Sequence, residues 1–130
     1  MITLVEENYL KAILAISLNT DDKISTNAIA DEISTSAASV SDMLRKLQNK
    51  RLVRYEKYKG VILSKRGAKK AISILRKHRL WETFLVKELE FNRGEVHEVA
   101  EQLEHIKSEE LVDKLETFLN HPKFDPHGEP

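Results

Sequence analysis

The chain has 130 residues, no cysteine, four Gly, three Pro, and 21 Lys and Arg against 21 Asp and Glu. With 41% apolar residues it supports one or two small, helix-favouring domains. The longest apolar run, Ala12 to Ile16, is too short to cross a bilayer, and Glu6 and Glu7 stand where a secretory leader carries bases, so a cytoplasmic chain is expected. Without cysteine there is no disulfide, thiolate zinc site, iron–sulfur cluster or cysteine nucleophile, and any metal must be held by nitrogen and oxygen donors.

The balanced charge conceals a segregation. Residues 1–44 hold 2 bases and 7 acids, residues 45–79 hold 14 bases and the single acid Glu56, and residues 80–130 hold 5 bases and 13 acids. A basic middle between acidic ends is the footprint of contact with phosphates, although a solvated, salt-bridged helix face has the same composition.

The elements follow in chain order. Tyr9, Leu10, Ile13, Leu14, Ile16 and Leu18 make the apolar stripe of a first helix from about Glu6 to Leu18, closed by the polar run Asn19 to Lys23. Ser25 or Thr26 can cap a short second helix with Ile29 and Ile33 inward. After Ser34 and Thr35, a cap at Ser36 opens a third helix with Val40, Leu44 and Leu47 inward. Two such helices with a short joint, the second ending in Arg45, Lys46, Lys50 and Arg51, read as a helix-turn-helix, with a plain three-helix bundle as the competing reading. The β-prone run Leu52 to Leu63, broken at Lys59-Gly60, adds a hairpin. A hairpin directly after a recognition helix is a wing, its tip here Lys57-Tyr58-Lys59.

A long fourth helix is expected from its cap Ser64 to about Leu89, burying Ala71, Ile74, Leu75, Trp81, Phe84, Leu85 and Leu89. Asn92-Arg93-Gly94-Glu95 has the form of a capping box for a fifth helix ending near Ile106. Ser108-Glu109-Glu110 opens a sixth with Leu111, Leu115, Phe118 and Leu119 inward. The segment from Pro122 to Pro130 holds all three prolines and reads as a linker.

His78 and Glu82 are spaced i, i+4 on the fourth helix; His97, Glu101, Glu104 and His105 are spaced i, i+4, i+7 and i+8 on the fifth. Each set falls on one helix face, and two helices joined by a short connection tend to lie antiparallel, so the sets can converge on one polar pocket. Three imidazoles and three carboxylates suit manganese, iron(II), cobalt or zinc, the carboxylate share favouring manganese or iron. The competing reading is a series of exposed helix pairs, which a chain with 32% charged residues also contains. His121 and His127 lack such partners and read as linker or surface. Enzymatic motifs fail: His97-Glu98-Val99-Ala100-Glu101 lacks the second histidine of a zinc-protease helix, no histidine is preceded at i−3 by the Glu of a di-iron bundle, and no phosphate-binding glycine loop is present.

Taken together, the segments Glu6-Glu7-Asn8-Tyr9-Leu10, Ser39-Val40-Ser41-Asp42-Met43-Leu44, Tyr55 to Val61, His78-Arg79-Leu80-Trp81-Glu82, Val96 to His105 and Pro126-His127-Gly128 resemble the diphtheria toxin repressor and manganese transport regulator family of metal-dependent bacterial repressors. The resemblance covers nearly the whole chain. It implies a mainly α architecture: an N-terminal winged helix-turn-helix over residues 1–63, an all-helical dimerisation and metal-binding domain over 64–121, and a linker-like tail over 122–130. It implies a primary metal site of Asn8, Glu101, Glu104 and His105 and an ancillary site of His78, Glu82 and His97. Relatives that answer to cobalt or iron often carry cysteine at the Glu101 position. Manganese-specific ones tend to have Asp at Asn8 and Glu at Lys11, so Mn2+ or Fe2+ is expected without a choice between them. Longer relatives continue past Pro-His-Gly into a small β-barrel domain that helps complete the ancillary site; a chain stopping at Pro130 is expected to be either a naturally short member or a shortened form.

The function implied is a metal-activated, homodimeric regulator that binds palindromic operator DNA and represses metal-uptake genes, with no membrane partner, no small-molecule substrate and no catalysis. Base edges would meet Ser36, Ala38, Ser39, Ser41 and Asp42; phosphates would meet Arg45, Lys46, Lys57 and Lys59. The alternatives are a winged-helix regulator of a non-metal ligand or partner protein, and a small metalloenzyme using the same pocket.

Overall fold

The computed structural model describes residues 2–124. The chain divides into two compact units, residues 1–72 and 73–130, the boundary falling inside the long helix α4. In order, the elements are α1 Leu4–Ser17, α2 Thr26–Ile33, α3 Ala37–Asn49, β1 Val53–Glu56, β2 Gly60–Leu63, α4 Lys65–Lys87, α5 Val96–Leu103 and α6 Glu109–Phe118.

In the first unit each helix starts where a short polar side chain can accept an otherwise unpaired N–H. Ser25 accepts from Ala28 N and Ser36 from Ser39 N, at 3.1 and 3.2 Å, as expected for α2 and α3. The first helix begins two residues before its expected start, because Thr3 and Glu6 form a reciprocal capping box: Glu6 N donates to Thr3 Oγ1 at 3.1 Å and Thr3 N to Glu6 Oε1 at 2.9 Å. Between α2 and α3, Ser34 takes the left-handed conformation with φ 57°, and Thr35 N reaches back to Ala30 O at 3.0 Å, which turns the chain within three residues.

One apolar core joins these pieces. Tyr9, Leu10 and Ile13 of α1, Ile29 and Ala30 of α2, and Val40, Leu44 and Leu47 of α3 close on Leu52, Val53 and Val61 of the hairpin region. The strands are antiparallel, pairing Val53 with Leu63 and Glu56 with Gly60. Ile24 and Val61 exchange two backbone hydrogen bonds of 2.9 Å each, so the hairpin is tied to the α1–α2 loop as well as to itself. Ser64 caps α4 as expected, accepting from Gly67 N at 3.0 Å. Glycine is required at 67, where a β-carbon would stand 1.9 Å from Leu52 O.

The second unit packs Leu80 against Val112, Leu115 and Leu119, with Trp81 and Phe84 along the edge. The stripe of α6 is rotated from the expected one. Val112, Leu115 and Leu119 are buried at i, i+3 and i+7, whereas Leu111 and Phe118 are exposed, as is Leu89 beyond the end of α4. Two further expectations are corrected. Asn92 and Glu95 do not form a capping box: Asn92 Oδ1 accepts from Gly94 N at 2.7 Å, Val96 N takes the Asn92 carbonyl, and Glu95 makes no side-chain cap. The fifth helix also stops at Leu103, so Glu104 and His105 stand in the turn that follows it rather than on its face. No helix among the described residues is long and apolar enough to cross a membrane.

Candidate metal centre and DNA-facing surface

Six of the seven expected metal-ligating side chains belong to the second unit and form one connected cluster. On α4, His78 and Glu82 are a turn apart, and His78 Nε2 lies 3.0 Å from Glu82 Oε1. The same oxygen is 3.2 Å from His97 Nδ1 on α5. His97 Nε2 is 3.1 Å from Glu101 Oε1, His78 Nδ1 is 3.4 Å from Glu104 Oε2, and His105 Nε2 is 3.9 Å from Glu104 Oε1. The expected primary and ancillary sets therefore interlock, with Glu101 meeting His97 and Glu104 meeting His78. Their sequence spacing does bring the α4 and α5 faces together. The seventh residue, Asn8, is half-buried on α1 in the first unit.

Burial makes this cluster costly unless it has a purpose. Glu82 and Glu104 are fully buried, and the His78 side chain is only 11% exposed. Burial pushes the His78 imidazole down, but the facing Glu104 and Glu82 carboxylates more than offset it and hold the ring above its ordinary value. His78 Nδ1 makes no hydrogen bond, the Glu104 oxygen being badly aligned for one. A buried imidazole nitrogen with no hydrogen bond is available as a metal ligand.

The donor set fits a divalent cation. The ligand atoms of His78, Glu82 and His97 all lie within 4.8 Å of one another. Ligands opposite each other on one such ion are about 4 Å apart, so small side-chain adjustments suffice. Two imidazoles with several carboxylates and no thiolate suit manganese, iron(II) or zinc. Among the described residues no other trio of histidine and acid side chains converges in this way.

The two remaining histidines fare differently. His121 is not the partnerless residue the sequence suggests: Nδ1 lies 2.8 Å from Glu116 Oε2, while Arg76 Nε donates to the other Glu116 oxygen at 2.7 Å. That hydrogen bond from His121, followed by Arg76, holds the Glu116 carboxyl below its usual range. His127 and residues 125–130 of the expected tail lie outside the described residues.

In the first unit the expected DNA-facing residues cluster at the exposed start of α3 and at the wing. Ser36, Ala38, Ser39 and Asp42 are exposed, and Ser41 is half-buried with Tyr55 Oη donating to it at 3.4 Å. The Ser36 hydroxyl accepts from Ser39 N and donates to Ser39 Oγ at 3.0 Å, so it is committed to the cap. Arg45 donates to Asp42 at 2.8 Å and is more than half exposed. On the wing, Glu56 is 3.1 Å from Lys23 and 3.6 Å from Lys59, and the exposed lysines leave its carboxyl below the usual range, Lys23 contributing most. Lys23 is a residue the sequence did not single out; its side chain reaches the wing only because Ile24 pairs with Val61.

Comparison with known families divides the chain just before α4. Residues 1–61 match the family model for the iron dependent repressor, N-terminal DNA binding domain, and residues 64–130 match that for the iron dependent repressor, metal binding and dimerisation domain. The chain is 45% identical over 65 residues to a probable metal transport system membrane protein of Chlamydia trachomatis, a match spanning 50% of this chain and 14% of that one. It is 30% identical over 120 residues to the HTH-type transcriptional regulator MntR of Listeria welshimeri, covering 89% of this chain and 83% of the relative. A solved structure described as a manganese-dependent transcriptional repressor in complex with manganese superposes with a TM-score of 0.85 at 40% identity, over 96% of this chain and 57% of that one. The chain thus spans only part of two of these three relatives. With both family models matched in order along its length, the chain belongs to the iron dependent repressor family.

Proposed function

We propose that the protein is a metal-dependent transcriptional regulator, not an enzyme, which acts in the cytoplasm as a homodimer, binds palindromic operator DNA when loaded with manganese or iron(II), and represses genes of metal uptake. The observation that carries the reading is the cluster of His78, Glu82, His97, Glu101, Glu104 and His105 on the same chain as a winged helix-turn-helix. A divalent cation bound there would place its positive charge against the buried carboxylates of Glu82 and Glu104. The chain's own part is to hold donors from α4, from α5 and from the turn after it in one place. His78, Glu82 and His97 would hold the cation, with Glu82 Oε1 already between the two imidazoles, and metal affinity would fall at low pH because protons compete for the same ligand atoms.

On the DNA side, α3 presents a small polar start to base edges, and Arg45, Lys46, Lys57 and Lys59 serve phosphates. Helix α4 starts directly after the wing and carries His78 and Glu82 further along its length.

The test is anaerobic calorimetry of the metal-free protein with manganese and iron(II), paired with selection of duplexes from a random-sequence library with and without metal. One or two sites per chain at micromolar affinity or better, and a palindromic duplex recovered only with metal, are expected. Glu104→Ala and His105→Ala are expected to abolish the metal dependence while leaving weak, salt-sensitive binding to any DNA. Metal-dependent binding that survives both substitutions refutes the assignment.

A further inference from the structure

We infer that Tyr58, at the wing tip, reads the minor groove of the bound duplex and selects A·T pairs there. The inference rests on the DNA-binding reading above and adds a sequence-selecting residue to it.

Tyr58 is 93% exposed, so its ring buries nothing within the chain. Its φ of 69° puts a bulky residue in the left-handed region, where glycine or asparagine stands with less strain. Among the described residues its ring has one charged neighbour, Lys57 Nζ, 5.2 Å from the centroid. A strained, solvent-facing aromatic contributes little to the fold, which directs attention to what it meets outside the chain.

The tip is held firmly. Glu56 binds Lys23 at 3.1 Å and faces Lys59 at 3.6 Å, and the paired backbone of Ile24 and Val61 fixes the base of the hairpin. At Gly60 a β-carbon would stand 2.6 Å from Ile24 O, so the hairpin and the α1–α2 loop approach as closely as glycine allows. Presented on this platform, the backbone that carries the ring loses little freedom on binding.

The minor groove is the matching receptor. With α3 in the major groove, the wing is left the minor groove, which is about 6 Å wide and admits a ring edge-on but not a helix. Lys57 and Lys59, on either side of Tyr58, suit the phosphates of the two groove walls. The Tyr58 hydroxyl can donate to adenine N3 or thymine O2. At a G·C pair the guanine 2-amino group occupies that edge and is itself a donor.

The test uses the whole chain with manganese and the tightest duplex that the wild type recovers from a random-sequence library. Fluorescence anisotropy gives Kd for wild type, Tyr58→Ala, Tyr58→Gly and the double variant Lys57→Ala/Lys59→Ala. Each is measured on that duplex and on copies in which flanking A·T pairs become G·C or inosine·C, the latter keeping the minor-groove face of A·T. G·C at the wing position is expected to weaken wild-type binding about tenfold while inosine·C does not. Both Tyr58 variants are expected to lose about tenfold on the selected duplex and to stop distinguishing the two pairs, with the salt slope unchanged; the lysine variant lowers that slope. Tyr58→Gly should also raise Tm, which separates lost binding from lost folding. Equal Kd for wild type and Tyr58→Ala, or the same base-pair pattern in both, overturns the role of Tyr58 and leaves the regulator standing. A library that yields no metal-dependent duplex overturns both.

Discussion

Ser34 shows how a single residue sets the helix-turn-helix geometry. Its backbone sits at φ 57° as the C-cap of α2, yet its side chain is exposed and the residue is not glycine. Replacing it with glycine removes the β-carbon penalty at no cost in packing, so Ser34→Gly should stabilise the first unit by up to about 1 kcal/mol, read from urea denaturation with an unchanged slope. A loss of stability would mean the hydroxyl has a partner that matters more than the backbone. Glu116 is the corresponding case in the second unit, where the constraint is charge. Its folded carboxyl titrates below the unfolded one because His121 and Arg76 bind the anion. A depressed carboxylate contributes stability above its unfolded range and loses it as pH falls through the folded value. Wild type should therefore lose about 1 kcal/mol relative to Glu116→Gln between neutral pH and about pH 3, a modest figure because the pair is partly exposed. Parallel acid-melting curves for the two proteins would assign the loss to other carboxylates.

At the scale of elements, the caps were the most legible part of the fold. Ser25, Ser36, Ser64 and Ser108 all accept the N–H three residues on, and a short polar side chain before an apolar stripe is a local signal that needs no tertiary information. Where the sequence misled, neighbours decided the outcome. Leu111 and Phe118 fit an apolar stripe as well as Val112 does, and packing against Leu80, Trp81 and Phe84 of α4 selects among them. Asn92 and Glu95 have the right spacing for a capping box, but Asn92 turns its side chain to Gly94. The candidate metal-ligating residues were legible as two spaced sets; their interlocking was not, because the contacts of Glu82 with His97 and of Glu104 with His78 join segments far apart in sequence. Gly67 was silent in the sequence, looking like a weak point in a helix. Its hydrogen atom is all that separates α4 from the Leu52 carbonyl, so Gly67→Ala should destabilise the first unit by about 3 kcal/mol, the upper end for overpacking against backbone that cannot yield. Thermal melting of that variant checks the figure, and an unchanged Tm would mean that α4 can shift away without loss.

For the whole molecule, the proposed metal centre in the second unit predicts a trade of stability against a response to metal. Glu82 and Glu104 are fully buried carboxylates that face the imidazoles of His78, His97 and His105. Burying such charges costs desolvation free energy that the rest of the unit has to offset. Glu82→Gln keeps the shape, keeps an acceptor for a histidine N–H, and removes one of these charges. The metal-free variant should melt at the same temperature as wild type or higher. Manganese should then separate the two proteins in the opposite sense. At a hundred times its dissociation constant, a ligand that binds only the folded state adds about 2.7 kcal/mol, and the wild type should gain that stability while the variant gains little. The two melting curves therefore cross on addition of manganese, and the crossing distinguishes a metal centre from a buried polar network. If Glu82 were structural, Glu82→Gln would lower the metal-free Tm and leave the manganese shift in place.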